Sequence, residues 1–174
     1  MRSVLPRDRL KRIAQADCRA IAYWKEGVSL EHNSGCPIQE LLCRAAADRW
    51  WLAHAHRGHA NKLFRVRPAL YRSAVSRYYY SMYHAMRACV FIFYQGDDHQ
   101  EHSALPLKIP NDFDPANDWQ TKLKNARFER NRADYEAYPK ADQAWRKYAI
   151  SIKGDTDLLI ATARQYLKSK GCAL

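Results

Sequence analysis

Arg130 is a charged residue where an apolar one belongs. From 116 to 135, Trp119, Leu123, Ala126 and Ala133 fall on one narrow helical stripe that Ala137 would continue, and Arg130 sits on it between two of the alanines. An inward-pointing guanidinium must be paired or must line a cleft, because burying an unpaired ion is costly. Both readings stand. Asp134 at i+4 is placed for a helix-surface ion pair, or the cation meets an anion in a cleft. Arg127 and Arg132 flank it in the basic run 122–132.

A second polar set lies in the stretch Tyr71 to Tyr94, YRSAVSRYYYSMYHAMRACVFIFY. One wide face carries Tyr71, Ala74, Val75, Tyr78, Tyr79, Met82, Met86, Cys89 and Phe93, the spacing of a helix buried along most of its length. The other carries Arg77, Tyr80, Ser81, His84, Ala88 and Phe91. This mixed face is expected to meet a second copy of the chain, with a site between the two. Arg77 and His84 either extend that site, or serve as a surface or interface pair and a satisfied imidazole. Tyr80 is placed to stack a base, while Tyr78 and Tyr79 belong to the core.

The imidazoles His54, His56 and His59 near Cys43, and the loop Asp97-Asp98-His99-Gln100-Glu101-His102, are the places to look for a metal. Neither has firm ligand spacing, so a solvated helix face and a surface loop are expected, with no metal and no cofactor. No Gly-rich phosphate loop, GxSxG or HExxH occurs, which argues against P-loop, hydrolase-elbow and zincin chemistry.

The elements that position these groups all read as helices. One is expected over 7–25, with Pro6 at its start and Gly27 at its end, followed by a loop over 27–37. The next runs over 38–64, with Gly58 as a weak point, to the corner Val66-Arg67-Pro68. The helix 71–94 follows, then a structureless segment 95–115 rich in Gly, Asp and Pro. Helices over 116–135 and 141–168 complete the chain, the last with Gly154 as a weak point. The expected fold is all-α: an up-and-down antiparallel bundle of about five helices, with residues 1–37 as an N-terminal helix and loop and 38–174 as the bundle.

Composition bounds the rest. The chain has 174 residues, 47% of them hydrophobic, enough for one folded domain. Its net charge of +11 favours polyanionic partners such as nucleic acid, a nucleotide or an acidic protein. Five cysteines with no CxxC pair, no signal peptide and no long apolar run lead to the expectation of reduced thiols, a cytoplasmic location and no membrane partner.

Two segments in order resemble a known family. Residues 72–80, ArgSerAlaValSerArgTyrTyrTyr, with 82–88, MetTyrHisAlaMetArgAla, are similar to the central helix of HEPN-domain proteins. Residues 123–135, LeuLysAsnAlaArgPheGluArgAsnArgAlaAspTyr, resemble that family's signature, an Arg followed five residues later by His or, in some branches, by an Asp-Tyr ending. The likeness covers about Leu41 to Leu167. It implies a helical bundle that forms a homodimer, with the two Arg-bearing helices lining a cleft at the dimer axis. It also implies either a metal-independent endoribonuclease of toxin–antitoxin or phage-defence systems, or a relative that has lost cleavage and binds RNA or nucleotides. A nucleotidyltransferase-type antitoxin is the implied protein partner, and a non-catalytic helical subunit of such a system is the alternative function.

On the resemblance, the catalytic Arg and following polar residue correspond to Arg130 and Asn131, and the His position to Tyr135. Arg130 would stabilise a phosphorane and Asn131 would orient a phosphate oxygen. Tyr135 departs from the pattern: a phenol titrates near ~10 against ~6.5 for imidazole, so it is a poor base at neutrality. His84 or His102 is then the candidate base. Arg77, Tyr80, His102, Arg127 and Arg132 are the expected substrate-binding residues.

Overall fold

The computed structural model describes residues 7–174; Pro6 lies outside the described residues. These form six α-helices with no strand among them: α1 (Arg7–Ala14), α2 (Cys18–Ser34), α3 (Ile38–Arg65), α4 (Tyr71–Tyr94), α5 (Ala116–Tyr135) and α6 (Arg146–Ser169). Short 3-10 turns cover Leu105–Leu107 and Asp142–Trp145. The chain divides into two compact units between Leu41 and Leu42, inside α3.

In the first unit, the single helix expected over 7–25 is two helices. Asp17 is the reason: its carboxylate accepts from the Ala20 backbone N–H at 2.8 Å and caps a new helix. That helix then passes through Gly27, so most of the expected 27–37 loop is helical. It ends at Gly35, whose φ of 65° is the left-handed conformation that suits a residue without Cβ. The Glu31 carboxylate then accepts from the Ile38 N–H at 2.7 Å and caps α3. α2 buries none of its residues; Tyr23, Trp24 and Val28 are exposed.

In the second unit the buried core begins at Cys43 and is organised around α4. Both faces of α4 are covered. Met82, Met86 and Cys89 are fully buried, as expected, but so are Ser81 and Ala88 on the face expected to meet a second copy. α3 of the same chain covers this part of the face, while Arg77 on the same face stays exposed. Ala46, Ala53 and Ala60 of α3 have no exposed surface, and such small side chains let the two backbones approach. The Ser81 hydroxyl donates to the Ala53 carbonyl at 2.8 Å, and the Arg49 guanidinium lies 4.2 Å from the Phe91 ring centre.

The contacts fix the directions. Arg49 meets the end of α4 and Phe64 packs edge-on against Tyr71 at its start, so α3 and α4 are antiparallel. Arg72 reaches Ala133 while Tyr80 reaches Arg130, so α5 is also antiparallel to α4. Trp50 donates to Ile160 at 3.2 Å and the Cys43 thiol to Lys170 at 3.9 Å, which sets α6 antiparallel to α3. The result is an up-and-down all-α bundle. Gly58 and Gly154 interrupt neither α3 nor α6. Ala137, expected on the α5 stripe, is exposed beyond that helix's end.

The 95–115 segment is not structureless. Asp97 anchors its start, accepting from Arg49 at 2.9 Å and from the Arg87 Nε at 2.9 Å. The 3-10 turn follows, and Leu105, Pro106, Pro110 and Phe113 are buried. At the far end Asp112 accepts from the Tyr166 hydroxyl at 2.8 Å. Another carboxylate, Asp142, caps α4 from a distance: the Tyr71 N–H donates to it, as does the Arg72 N–H at 3.3 Å. No helix among the described residues is long and apolar enough to cross a membrane.

Candidate functional site

The α5 stripe that buries Leu123, Ala126 and Ala133 against the core also turns Arg130 inward, leaving its side chain 14% exposed. Its Nη2 donates to the Tyr80 hydroxyl, and its Nη1 donates to Asn131 Oδ1 at 3.0 Å. Its Nε lies 2.9 Å from Asp134 Oδ2, close enough for charge pairing but out of line for a hydrogen bond. The Ser76 hydroxyl donates to the same carboxylate. The pairing with Asp134 read from the sequence is therefore present, and the guanidinium also sits among polar and aromatic groups. Burial works against its charge, but the Tyr80 hydroxyl, Asp134 and Tyr135 outweigh that and raise its pKa.

Positions five apart on a straight helix point in different directions, yet the Arg130 guanidinium lies 5.6 Å from the Tyr135 ring centre. The helix is unbroken to Tyr135. Its last residue and a long, flexible arginine stem are enough for the contact, without distortion and without a partner chain. Tyr135 itself is 76% exposed.

Rings continue away from the guanidinium. Tyr80, with its centre 5.0 Å from Arg130 Cζ, stacks on His56 of α3 at 5.7 Å. His56 lies parallel to His84 at 5.2 Å. The 95–115 segment brings in His102, which stacks on Tyr83 at 4.1 Å and shares a 2.7 Å hydrogen bond between its Nδ1 and the Tyr79 hydroxyl. Burial lowers the pKa of all three imidazoles. For His84 burial is followed by His56 and Arg87, and the value falls to about 4. For His102 it is followed by Arg130, Arg127 and Arg87. Burial also raises the Tyr79 pKa, so that phenol keeps its proton. Its hydrogen bond engages Nδ1 of His102, as acceptor or donor according to the imidazole tautomer.

Next to Asn131, α5 and the 3-10 turn enclose a groove of about 470 Å³ lined by Ser103, Pro106, Leu107, Lys124, Arg127, Phe128 and Asn131. Phe128 and Leu107 are each 61% exposed. Cations beside an exposed ring suit a single-stranded polyanion with stacking bases. Lys124, Phe128 and the 103–107 wall were not singled out from the sequence. The signal for the first two was present, an aromatic residue one turn from a lysine on an exposed helix face.

The structure thus gathers Arg130, Asn131, Tyr135, Tyr80, His84 and His102 into one ring-lined cluster, with Arg127 at its edge. Tyr80 is already engaged by Arg130 and His56, so it positions the guanidinium rather than offering a free stacking face. Arg132 goes elsewhere. It pairs with Glu129 at 3.0 Å and Glu136 at 3.3 Å and lies 5.4 Å from the Tyr148 ring of α6. Arg77 is exposed and faces a pocket with His56 and His59. His54 leaves the other α3 imidazoles and packs on Trp50 and Trp51. Among the described residues no three His, Cys, Asp or Glu side chains are grouped to hold a metal. No family model matches the chain, and no curated protein matches it.

Proposed function

We propose that this chain is a HEPN-type protein that binds single-stranded RNA along α5 and the 95–115 segment. The observation that carries the reading is the arrangement of Arg130, held among rings with Asn131 beside it at the lip of the basic groove. Phosphates meet Arg127, Lys124 and the Arg130–Asn131 pair. Bases stack on Phe128 and Tyr135, the exposed rings, and such stacking is worth about 1–3 kcal/mol per base. The net charge of +11 draws the polyanion in. The sequence resemblance supports the same reading, and with it a homodimer and a nucleotidyltransferase-type partner in a toxin–antitoxin or defence system.

Binding is favoured over cleavage. A metal-free cleavage needs a general base near the cation. Nδ1 of His102 is engaged by Tyr79 and its pKa is lowered by burial, His84 is a weak base with a pKa of about 4, and Tyr135 stands where the family's His is expected. Cleavage is the second reading, favoured by the presence of three neutral imidazoles within the ring cluster that Arg130 adjoins.

Fluorescence anisotropy of a labelled single-stranded RNA tests the binding. The native protein should bind in a salt-dependent way and Arg127→Ala should weaken it. Absence of binding at low salt overturns the proposal. Incubation with total RNA separates the two readings: cleavage by the native protein and not by Arg130→Ala establishes the nuclease. Sedimentation of the pure protein and co-purification from its host test the homodimer and the partner.

A further inference from the structure

Beside the Tyr80–His56 stack, α3 and α4 enclose a shallow pocket of about 520 Å³ lined by His56, His59, Lys62, Leu63 and Arg77. Its lining holds four nitrogen bases or cations and no carboxylate. Four arginines elsewhere in the bundle each have a carboxylate. Arg57 is paired with Asp157, Arg87 with Asp97, Arg130 with Asp134 and Arg132 with Glu129. Arg77 and Lys62 make no side-chain hydrogen bond or ion pair among the described residues. They project from adjacent helices into one place, where their mutual repulsion is offset only by water or by an anion.

His56 adds a directed donor. Its Nδ1 is buried and has no hydrogen-bond partner, and its ring lines the pocket. Burying a bare lone pair costs less than burying an unpaired N–H, which favours the tautomer with the proton on Nε2. The ring is fixed by parallel stacking on His84 and by Tyr80. Burial, then Arg77 and His59, lower its pKa, which a bound anion would reverse.

We propose that His56, His59, Lys62 and Arg77 form a second anion site, which takes a backbone phosphate of the RNA strand that Arg130 engages. The inference rests on the RNA-binding reading and extends it. Tyr80 joins the two sites, bonded to Arg130 and stacked on His56, so a strand that places one phosphate near Arg130 reaches the pocket within a few nucleotides. Leu63 supplies an apolar patch for a ribose face. RNA-bound length is thereby longer than the α5 groove alone requires.

The test compares the native protein with the double variant Lys62→Ala, Arg77→Ala and with Arg127→Ala, by anisotropy of a single-stranded RNA over a series of salt concentrations. A single-strand phosphate contact contributes roughly 0.7 to the slope of log affinity against log salt. The double variant should bind about tenfold more weakly, with a slope smaller by roughly 0.7 to 1.4 for one or two contacts. The native protein should also show His56 and His59 ring-proton shifts on adding RNA, and a raised His56 pKa in the complex. Native affinity and slope in the double variant, with Arg127→Ala impaired, overturn the second site and leave the α5 groove standing. Native protein that binds no RNA overturns both. Unchanged melting temperature in the double variant excludes unfolding as the cause of weaker binding.

Discussion

Arg130 separates two roles that a single substitution confuses. Its pairing with Asp134 is an i, i+4 contact to a carboxylate side chain that is 31% exposed. A double-mutant cycle on the two should show a stability coupling below about 1 kcal/mol. Arg130→Ala should meanwhile weaken RNA binding about tenfold or more, whereas Asp134→Ala leaves the cation in place and weakens it less. Tyr80→Phe removes the hydroxyl that holds the guanidinium but keeps the ring. It should reduce RNA affinity without the larger stability loss of Tyr80→Ala. Arg130 was legible because a charge on an apolar stripe stands out in one dimension. Tyr80, Tyr135, His84 and His102 were named with it, but His56, which comes from another helix, was not.

The histidines give this scale its pH dependence. His84 has a folded pKa of about 4 against an ordinary value of 6.5, so the unfolded chain binds the proton more readily. Its contribution to stability is whole above about pH 6.5 and is lost as pH falls toward 4. His56 and His102 are shifted in the same direction. Thermal melts from pH 7.5 to 4.5 should show falling stability, and His84→Gln should flatten that fall. Equal slopes for the two proteins would contradict the neutral, buried state assigned to this imidazole.

Helix ends explain where sequence reading succeeded and where it failed. The starts of α4 and α5 were legible because Pro68 and Pro115 lie just before them and disfavour helix at the residue preceding each by a local steric rule. The 27–37 stretch misled because its Ser, Asn and Gly are common in loops. A glycine inside a helix costs only about 1 kcal/mol, and the true stop is the left-handed Gly35. The packing of the 95–115 segment depends on Arg49 and Arg87 meeting Asp97, which no local rule announces. The same holds for Asp142, which caps α4 across 71 positions of sequence. Replacing Asp142 with Ala should lower stability by about 1 kcal/mol, the usual value of a side-chain cap, and the melting temperature by roughly 2–4 °C. Calorimetry on the variant measures this directly. An unchanged melting temperature would mean that water caps α4 equally well.

At the scale of the whole molecule, the buried residues all lie from Cys43 onward among those described, and α2 buries none. Removing residues 1–37 should leave a cooperatively melting helical protein whose midpoint differs from the intact chain by no more than a few degrees. Circular dichroism during a thermal scan checks this, and a broad, non-cooperative transition would show that the first unit is needed for the fold. The all-α class was legible from periodicity and from the scarcity of glycine, which is a statistical property of the entire chain. On the mixed face of α4, Ser81 and Ala88 are buried within the chain itself, with α3 against them, and Arg77 is left exposed.

The Cys43 thiol rests against the Lys170 carbonyl, and Leu174 packs on the core beside the same pair of helices. The two ends of the bundle unit are therefore neighbours in space. A short flexible linker joining 174 back to 42, with new ends opened at the 66–70 corner, should give a circular permutant that folds and keeps the Arg130 cluster intact. In such a protein α4 would become the first helix made. The central element would then no longer wait for α3 to be synthesised, and the order in which the bundle assembles could be varied at constant composition.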